Sequence, residues 1–341
     1  MPTDPHPAAG RTVAVLGGTG FLGRHVTAAF AAAGARVHAV SRSGGSGTVP
    51  GRDTVRLDLL SAAPAEIAGV LAATGAEVVV NAAGRVWLPG ERQMAEGNAE
   101  LVERLVEALA LLPGPPVRLV QIGTVHEYGA GMPGAATTEE HVPAPVTAYG
   151  RTKLQGTQAV VRAVSERGID GVVLRHANAI GAGVPLGSLF GRIVAHLGAV
   201  ACGEAPAVLR VPPLRAARDL VDVGDAAAAV LAAATAPKAA VTGRVINIGR
   251  GEAVPVRRLV HRMVELSGLA VAIVEEPGPE PARADVAWQR LDITRAEQLL
   301  GWRPRRSLDD SLRDLLAPVL PPGQPRPSDV TTTSDTEQES S

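Results

Sequence analysis

Cysteine is almost absent from this chain of 341 residues: the single Cys202 cannot form an internal disulfide, so nothing points to an oxidising compartment. Charge of one sign is also missing. A net charge of −1 gives no basic surface for nucleic acid and no polybasic patch for a membrane, and neither is an expected partner. No apolar run approaches the roughly 20 residues that a spanning helix requires; the longest candidate, Ala226 to Ala236, is short and alanine-rich. The start, Met1-Pro-Thr-Asp-Pro-His-Pro, has neither the basic nor the long apolar region of a signal peptide, which leaves the cytoplasm as the expected location. Metal-binding spacings such as H-x-x-x-H and C-x-x-C are absent, and no metal is expected. Lysine and tyrosine are scarce too, against many arginines: only Lys153 and Lys238, only Tyr128 and Tyr149.

What is present alternates. Short β-branched runs at Thr12 to Leu16, Arg36 to Val40, Val55 to Leu57, Val78 to Val80, Val117 to Ile122 and Val172 to Leu174 are separated by segments of helical spacing at Phe21 to Ala33, Pro64 to Ala73, Glu91 to Leu112 and Thr147 to Glu166. Continuous apolar strands between helices predict an α/β fold, a doubly wound parallel sheet of Rossmann type covered on both faces. After Arg175 the alternation gives way to loops and to helices near Leu189 to Leu197, Val223 to Ala234 and Pro255 to Ser267 around a strand at Val245 to Ile248. The expected organisation is a flexible start over 1–10, a nucleotide-binding domain over 11–174 with returns at about 219–249, a substrate-binding region from 175–218 and 250–317, and a disordered Pro- then Ser/Thr/Glu-rich tail over 318–341.

"VAVLGGTGFLGRHV" puts Gly17, Gly20 and Gly23 directly after the first strand and at the start of a helix, with Thr19, Phe21 and Leu22 between them. Glycines there permit a tight turn and close approach of a pyrophosphate to main-chain N–H groups at a helix N-terminus. The next strand ends in Ser41-Arg42 where an acidic residue would accept from a free adenosine ribose. An arginine instead complements a 2′-phosphate, so NADP(H) is the expected cofactor; an exposed arginine with no such role is the alternative. Asp58 and Leu59 follow the third strand, where the aspartate can accept from the adenine amino group. Asn81-Ala82-Ala83-Gly84 follows the fourth with small residues where the backbone must approach the cofactor.

"AYGRTK" spaces Tyr149 and Lys153 four apart at the start of a helix, on one face. An ammonium beside a phenol favours the phenolate and lets tyrosine exchange a proton with a substrate oxygen near neutral pH.

These motifs, in this order, with a hydroxyl residue before Tyr128-Gly129, resemble the extended short-chain dehydrogenase/reductase family from about Arg11 to Leu316. "LRHANAIGAG", "RDLVDVGD" and "LDITRAEQLLGWRP" resemble segments of its nucleotide-sugar branch. The resemblance implies Thr124, Tyr149 and Lys153 as catalytic residues, Thr124 bonding the reacting oxygen and Lys153 also binding the nicotinamide ribose. It implies Asn98 and His176 at the cofactor, an ordinary buried histidine being an equal reading of His176, and Asn178 and Arg218 at the substrate diphosphate. Near "PARADV" the chain departs from the family's Arg-x-x-Asp, since Arg283 precedes Asp285 by only two. Trp87 is expected at the sugar or nicotinamide, or as a plain apolar anchor.

Dehydratases of that family follow the hydroxyl residue with Asp-Glu; here Val125 and His126 stand there, and valine can neither give nor take a proton. Val125 and His126 are expected beside the substrate, and Glu127 points away from His126 if the strand continues. The resemblance implies NADPH-dependent reduction of a nucleotide-linked 4-keto-6-deoxyhexose, with a dTDP-sugar as substrate, in deoxysugar and antibiotic biosynthesis, by a homodimer. An NAD-retaining 4-epimerase and a non-catalytic NADP sensor are the alternatives.

Overall fold

The computed structural model describes residues 6–44, 52–86, 90–276 and 286–319. Seven parallel strands form the central sheet: β1 Thr12–Leu16, β2 Arg36–Ser41, β3 Arg52–Arg56, β4 Val78–Asn81, β5 Arg118–Thr124, β6 Asp170–His176 and the strand Val245–Ile248. From the last of these the order across the sheet is β6, β5, β4, β1, β2, β3. This is the expected Rossmann-type α/β architecture. Its strand order reverses at β1, and a crevice opens beyond the carboxyl ends of β1 and β4.

Alternation within the strands feeds two apolar layers. Val13 and Val15 of β1 pack with Val26 and Phe30 of helix α1 (Phe21–Ala32) and with the alanine-rich helix Val223–Thr235; Ala14 and Leu16 face the other way. That second layer is built by α2 (Pro64–Thr74), α4 (Leu101–Ala110) and α5 (Ala148–Arg167). A five-residue helix, α3 (Glu91–Ala95), leads into α4 through one π turn at Glu96–Glu100. A third apolar cluster joins Ile180, Ile193, Leu209, Leu220, Leu259 and Leu312, from the segments after β6.

Residues 6–10 form a turn in which Ala8 is buried and the Gly10 N–H donates to Gly34 O at 2.9 Å. Trp87, Arg283 and Asp285, and the tail from 320 onward, lie outside the described residues. Among the described residues no helix is long and apolar enough to cross a membrane.

Candidate functional site

The glycine loop is shaped by space as much as by turning. Gly17 has φ +73°, and a Cβ on it would stand 2.8 Å from Ala83 N and Cα; a Cβ on Gly23 would meet Gly17 O at 2.0 Å. The loop after β1 and the Asn81–Gly84 segment after β4 therefore touch main chain to main chain across the crevice. No side chain caps the N-terminus of α1 and no acidic residue occupies its first turn, so its N–H groups are presented to an anion with Thr19 exposed beside them and Phe21 and Leu22 half-buried. At the end of β2 the Ser41 hydroxyl is buried without a hydrogen-bond partner, while Arg42 is exposed. Asp58 is exposed and accepts from Leu60 N at 3.1 Å; Leu59 is buried in the core.

Two asparagines expected to touch the cofactor are turned inward. Asn81 is fully buried; its amide donates to Gln121 Oε1 at 2.8 Å and its Oδ1 accepts from Ala83 N at 3.2 Å. Asn98, on the π turn, donates to Arg85 O at 2.8 Å and to Thr152 Oγ1 at 3.1 Å, spending both amide hydrogens. Both brace the loop that carries Ala82, Ala83, Gly84 and Arg85 through these bonds.

The second half of the site lies where β5 ends. Thr124 leaves the strand and caps a single 3₁₀ turn, Val125–Glu127: its Oγ1 accepts from His126 N at 3.4 Å, and its N–H donates to Glu127 Oε1 at 2.8 Å. The strand ends at Thr124, so the orientation that Glu127 would have on a continuing strand does not apply. The Thr-x-x-Glu spacing is the capping-box signature that would have disclosed this turn. Val125 is 3% exposed and packs into the core layer. His126 remains half-buried, edge-on to Tyr149 with ring centroids 5.8 Å apart and Nε2 3.4 Å from Asn178 Oδ1.

Thr147 caps α5, its hydroxyl accepting from Gly150 N at 3.0 Å. A Cβ on Gly150 would stand 2.4 Å from His126 O, and one on Gly156 2.4 Å from Asn98 O, so α5 lies directly on the 3₁₀ and π turns. That approach carries Tyr149 and Lys153 to the end of β5. Lys153 is 6% exposed, with Nζ 2.5 Å from Ile122 O, two residues before Thr124. Burial pushes its pKa down, opposed by the charge of Glu127. His176, paired in register with Thr124 on β6, is buried with neither ring nitrogen hydrogen-bonded; burial and then Lys153 push its pKa down to about 3. The imidazole is thus neutral. Asn178 donates to Asp219 O at 3.2 Å and to Gln289 Oε1 at 3.0 Å, and its Oδ1 lies 3.4 Å from His126 Nε2. Arg218 is half-buried, bonded to Ala217 O at 3.1 Å.

A further cleft of about 320 Å³ separates the helix Leu189–Ala201 from the strand Val208–Val211, lined by Arg192, Ile193, His196, Pro206 and Arg210. It rests on the third apolar cluster, which begins at Ile180, two residues beyond Asn178. Sequence reasoning missed it because its walls carry no motif. Among the described residues no group of His, Cys, Asp and Glu could hold a metal ion.

Residues 13–249 match the NAD dependent epimerase/dehydratase family. The dTDP-6-deoxy-L-talose 4-dehydrogenase (NAD(P)+) of Kitasatospora kifunensis is 44% identical over 313 residues, which cover 92% of this chain and 96% of that protein. In fold, the chain is similar to RMD from Pseudomonas aeruginosa, solved with NADPH, at a TM-score of 0.76 and 23% identity over 90% of this chain and 98% of that one. A UDP-glucuronic acid 4-epimerase from Bacillus cereus, solved with UDP-glucuronic acid and NAD, has a TM-score of 0.76 and 21% identity over 90% and 98%. The seven-stranded parallel sheet agrees with these folds, and the chain belongs to the NAD dependent epimerase/dehydratase family, the extended short-chain dehydrogenases and reductases.

Proposed function

We propose that this protein is an NADPH-dependent ketoreductase acting at C4 of a dTDP-linked 4-keto-6-deoxyhexose. The observation that carries the reading is the convergence of Thr124, Tyr149 and buried Lys153 at the end of β5, in a site where Val125 and His126 follow the hydroxyl residue in the chain. Glu127, whose carboxylate accepts from the Thr124 N–H, is locked in a buried ion pair with Arg175 at 2.7 Å. Removing water from a sugar needs a second acid and base that this site does not offer. Transfer at a single carbon needs only the groups present.

The chain has the features a dinucleotide requires: the open N-terminus of α1, the close contact of Gly17 with Ala83, and buried polar atoms of Ser41 and His176 that lack partners. Gly17, Gly20 and Gly23 would hold the pyrophosphate, Ser41 and Arg42 a ribose phosphate, and His176 the nicotinamide end. When bound, the reduced nicotinamide supplies a hydride to the carbonyl carbon. Tyr149 then gives its phenolic proton to the forming alkoxide, the Thr124 hydroxyl donates a hydrogen bond to the same oxygen, and the Lys153 ammonium lowers the cost of the phenolate. Ketone, hydride and proton together make the secondary alcohol. His126 and Arg218 flank the sugar and its diphosphate, and the cleft beneath Arg192 takes the nucleotide end.

The relative from Kitasatospora is named for oxidation at C4 of a dTDP-6-deoxy sugar. Oxidation and reduction at one carbon share a transition state, and Arg42 favours the phosphorylated cofactor used for reduction. Mixing the purified protein with NADPH and a small panel of dTDP-4-keto sugars, and following absorbance loss and product configuration, tests the proposal. No NADPH consumption with any of them would sink it.

A further inference from the structure

Glu127 is 0% exposed, and a carboxylate withdrawn from water is costly unless charge and hydrogen bonds compensate it. Three donors from three elements converge on it. The Thr124 N–H of β5 donates to Oε1 at 2.8 Å, the Thr157 hydroxyl of α5 to Oε2 at 2.9 Å, and Arg175 Nε of β6 to Oε2 at 2.7 Å. Each donor adjoins a group of the proposed chemistry: Thr124 bears the hydroxyl itself, Thr157 lies one helical turn beyond Lys153, and Arg175 precedes His176. The space is made by Gly123, where a Cβ would stand 2.7 Å from Glu127 Oε1.

We propose that Glu127 is the positioning residue of this site, its carboxylate pinning β5, α5 and β6 together so that the Thr124 hydroxyl and the Tyr149–Lys153 pair meet on one substrate oxygen. The inference rests on the ketoreductase reading above. The carboxylate does not touch the substrate; it acts through Thr124 and Lys153.

Its charge has a second effect. The ionisable groups that face it are Arg175 from β6, Lys153 from α5, and Tyr128, next in the chain, with Glu139 beyond. Arg175 is neutralised by the ion pair and lies over the Tyr128 ring at 4.5 Å, and the Tyr128 hydroxyl donates to Asn247 Oδ1 at 2.8 Å. Lys153 is left as the cation that gains: Glu127 opposes the burial that drives its ammonium toward the neutral form.

The test separates positioning from support of the fold. Glu127→Met combined with Arg175→Met removes both charges and strands neither. That protein should stay folded, with a denaturation midpoint lowered by the unpaired Thr124 N–H and an NADPH Kd within about threefold, yet lose kcat by at least about thirtyfold with the sugar KM little changed. Glu127→Gln combined with Arg175→Met restores an acceptor for Thr124 N–H and should recover kcat to within about tenfold of wild type. Thr157→Val leaves the ion pair in place and should lower kcat by about threefold or more, even if the Met pair does not fold. A further arm needs no sugar. With only two lysines in the chain, side-chain ¹³C labelling of lysine resolves both, and the Lys153 titration should fall in Glu127→Gln with Arg175→Met. Wild-type protein that consumes no NADPH would refute the ketoreductase reading alone. Unchanged kcat in the folded Met pair or in Thr157→Val, or an unmoved Lys153 titration, overturns the positioning role.

Discussion

Replacing Gly17 with alanine separates two demands that a left-handed glycine can meet. The residue has φ +73°, where an L side chain costs about 1–2 kcal/mol. An added Cβ would also stand 2.8 Å from Ala83 N and Cα, so one wall of the cofactor crevice must move away from the other. Gly75, which ends α2 at φ +66° with nothing within 4 Å of its would-be Cβ, carries the first demand without the second. Gly75→Ala should therefore lose about 1–2 kcal/mol of stability and bind NADPH as wild type does. Gly17→Ala should lose at least as much and in addition weaken NADPH binding by about tenfold or more, the equivalent of about 1.4 kcal/mol. Urea denaturation monitored by circular dichroism gives the first quantity and quenching of tryptophan fluorescence by NADPH the second. Equal NADPH affinity in the two folded variants would show that the Gly17–Ala83 contact does not shape the cofactor site.

Three further outcomes follow from named groups. Arg42→Asp should exchange a donor of charge-assisted hydrogen bonds for a repelling anion and shift the NADPH over NADH preference by about tenfold to a hundredfold, read as a ratio of kcat/KM values; an unchanged ratio would leave Arg42 as a plain exposed arginine. Tyr149→Phe should lower kcat by about 10²–10⁴ with little change in NADPH Kd, the range for loss of a general acid, and a smaller loss would mean that another group supplies the proton. His176, whose folded pKa of about 3 lies below its unfolded value, binds fewer protons folded than unfolded, so stability is lost as pH falls below about 6.5. Between pH 7.5 and 5.0 this amounts to about 2 kcal/mol that His176→Phe should not lose, and parallel pH profiles for the two proteins would contradict the burial of a neutral imidazole.

The sheet and the cofactor loop were legible because they rest on local pattern. Val13 and Val15 against Ala14 and Leu16 announce a strand with two buried faces, and Gly17, Gly20 and Gly23 stand where a strand must turn into a helix. Tyr149 and Lys153 were legible because helical spacing fixes their common face. Less could be read of side chains whose partners lie far along the chain. Asn81 is held by Gln121, 40 residues away, and Asn178 by Gln289, 111 residues away. Such amides look like ligand contacts in a motif until the carbonyls that consume their hydrogens are in place. The inertness of Val125 was visible in the same way, but its burial depended on the chain turning at Thr124. Glu127 was the largest omission. Its Thr-x-x-Glu spacing was in view, and the donors on Thr157 and Arg175 that give the carboxylate its place were not.

The central claim, net hydride delivery to C4, is tested most directly by supplying NADPH deuterated at C4 of the nicotinamide together with a dTDP-4-keto-6-deoxyhexose, and examining the sugar by NMR and mass spectrometry. A ketoreductase that transfers from the labelled face leaves one deuterium at C4 of the sugar for each NADPH oxidised, and the opposite label gives none. A sugar inverted at C4 with no net oxidation of NADPH, or a keto sugar recovered unchanged, would contradict the account.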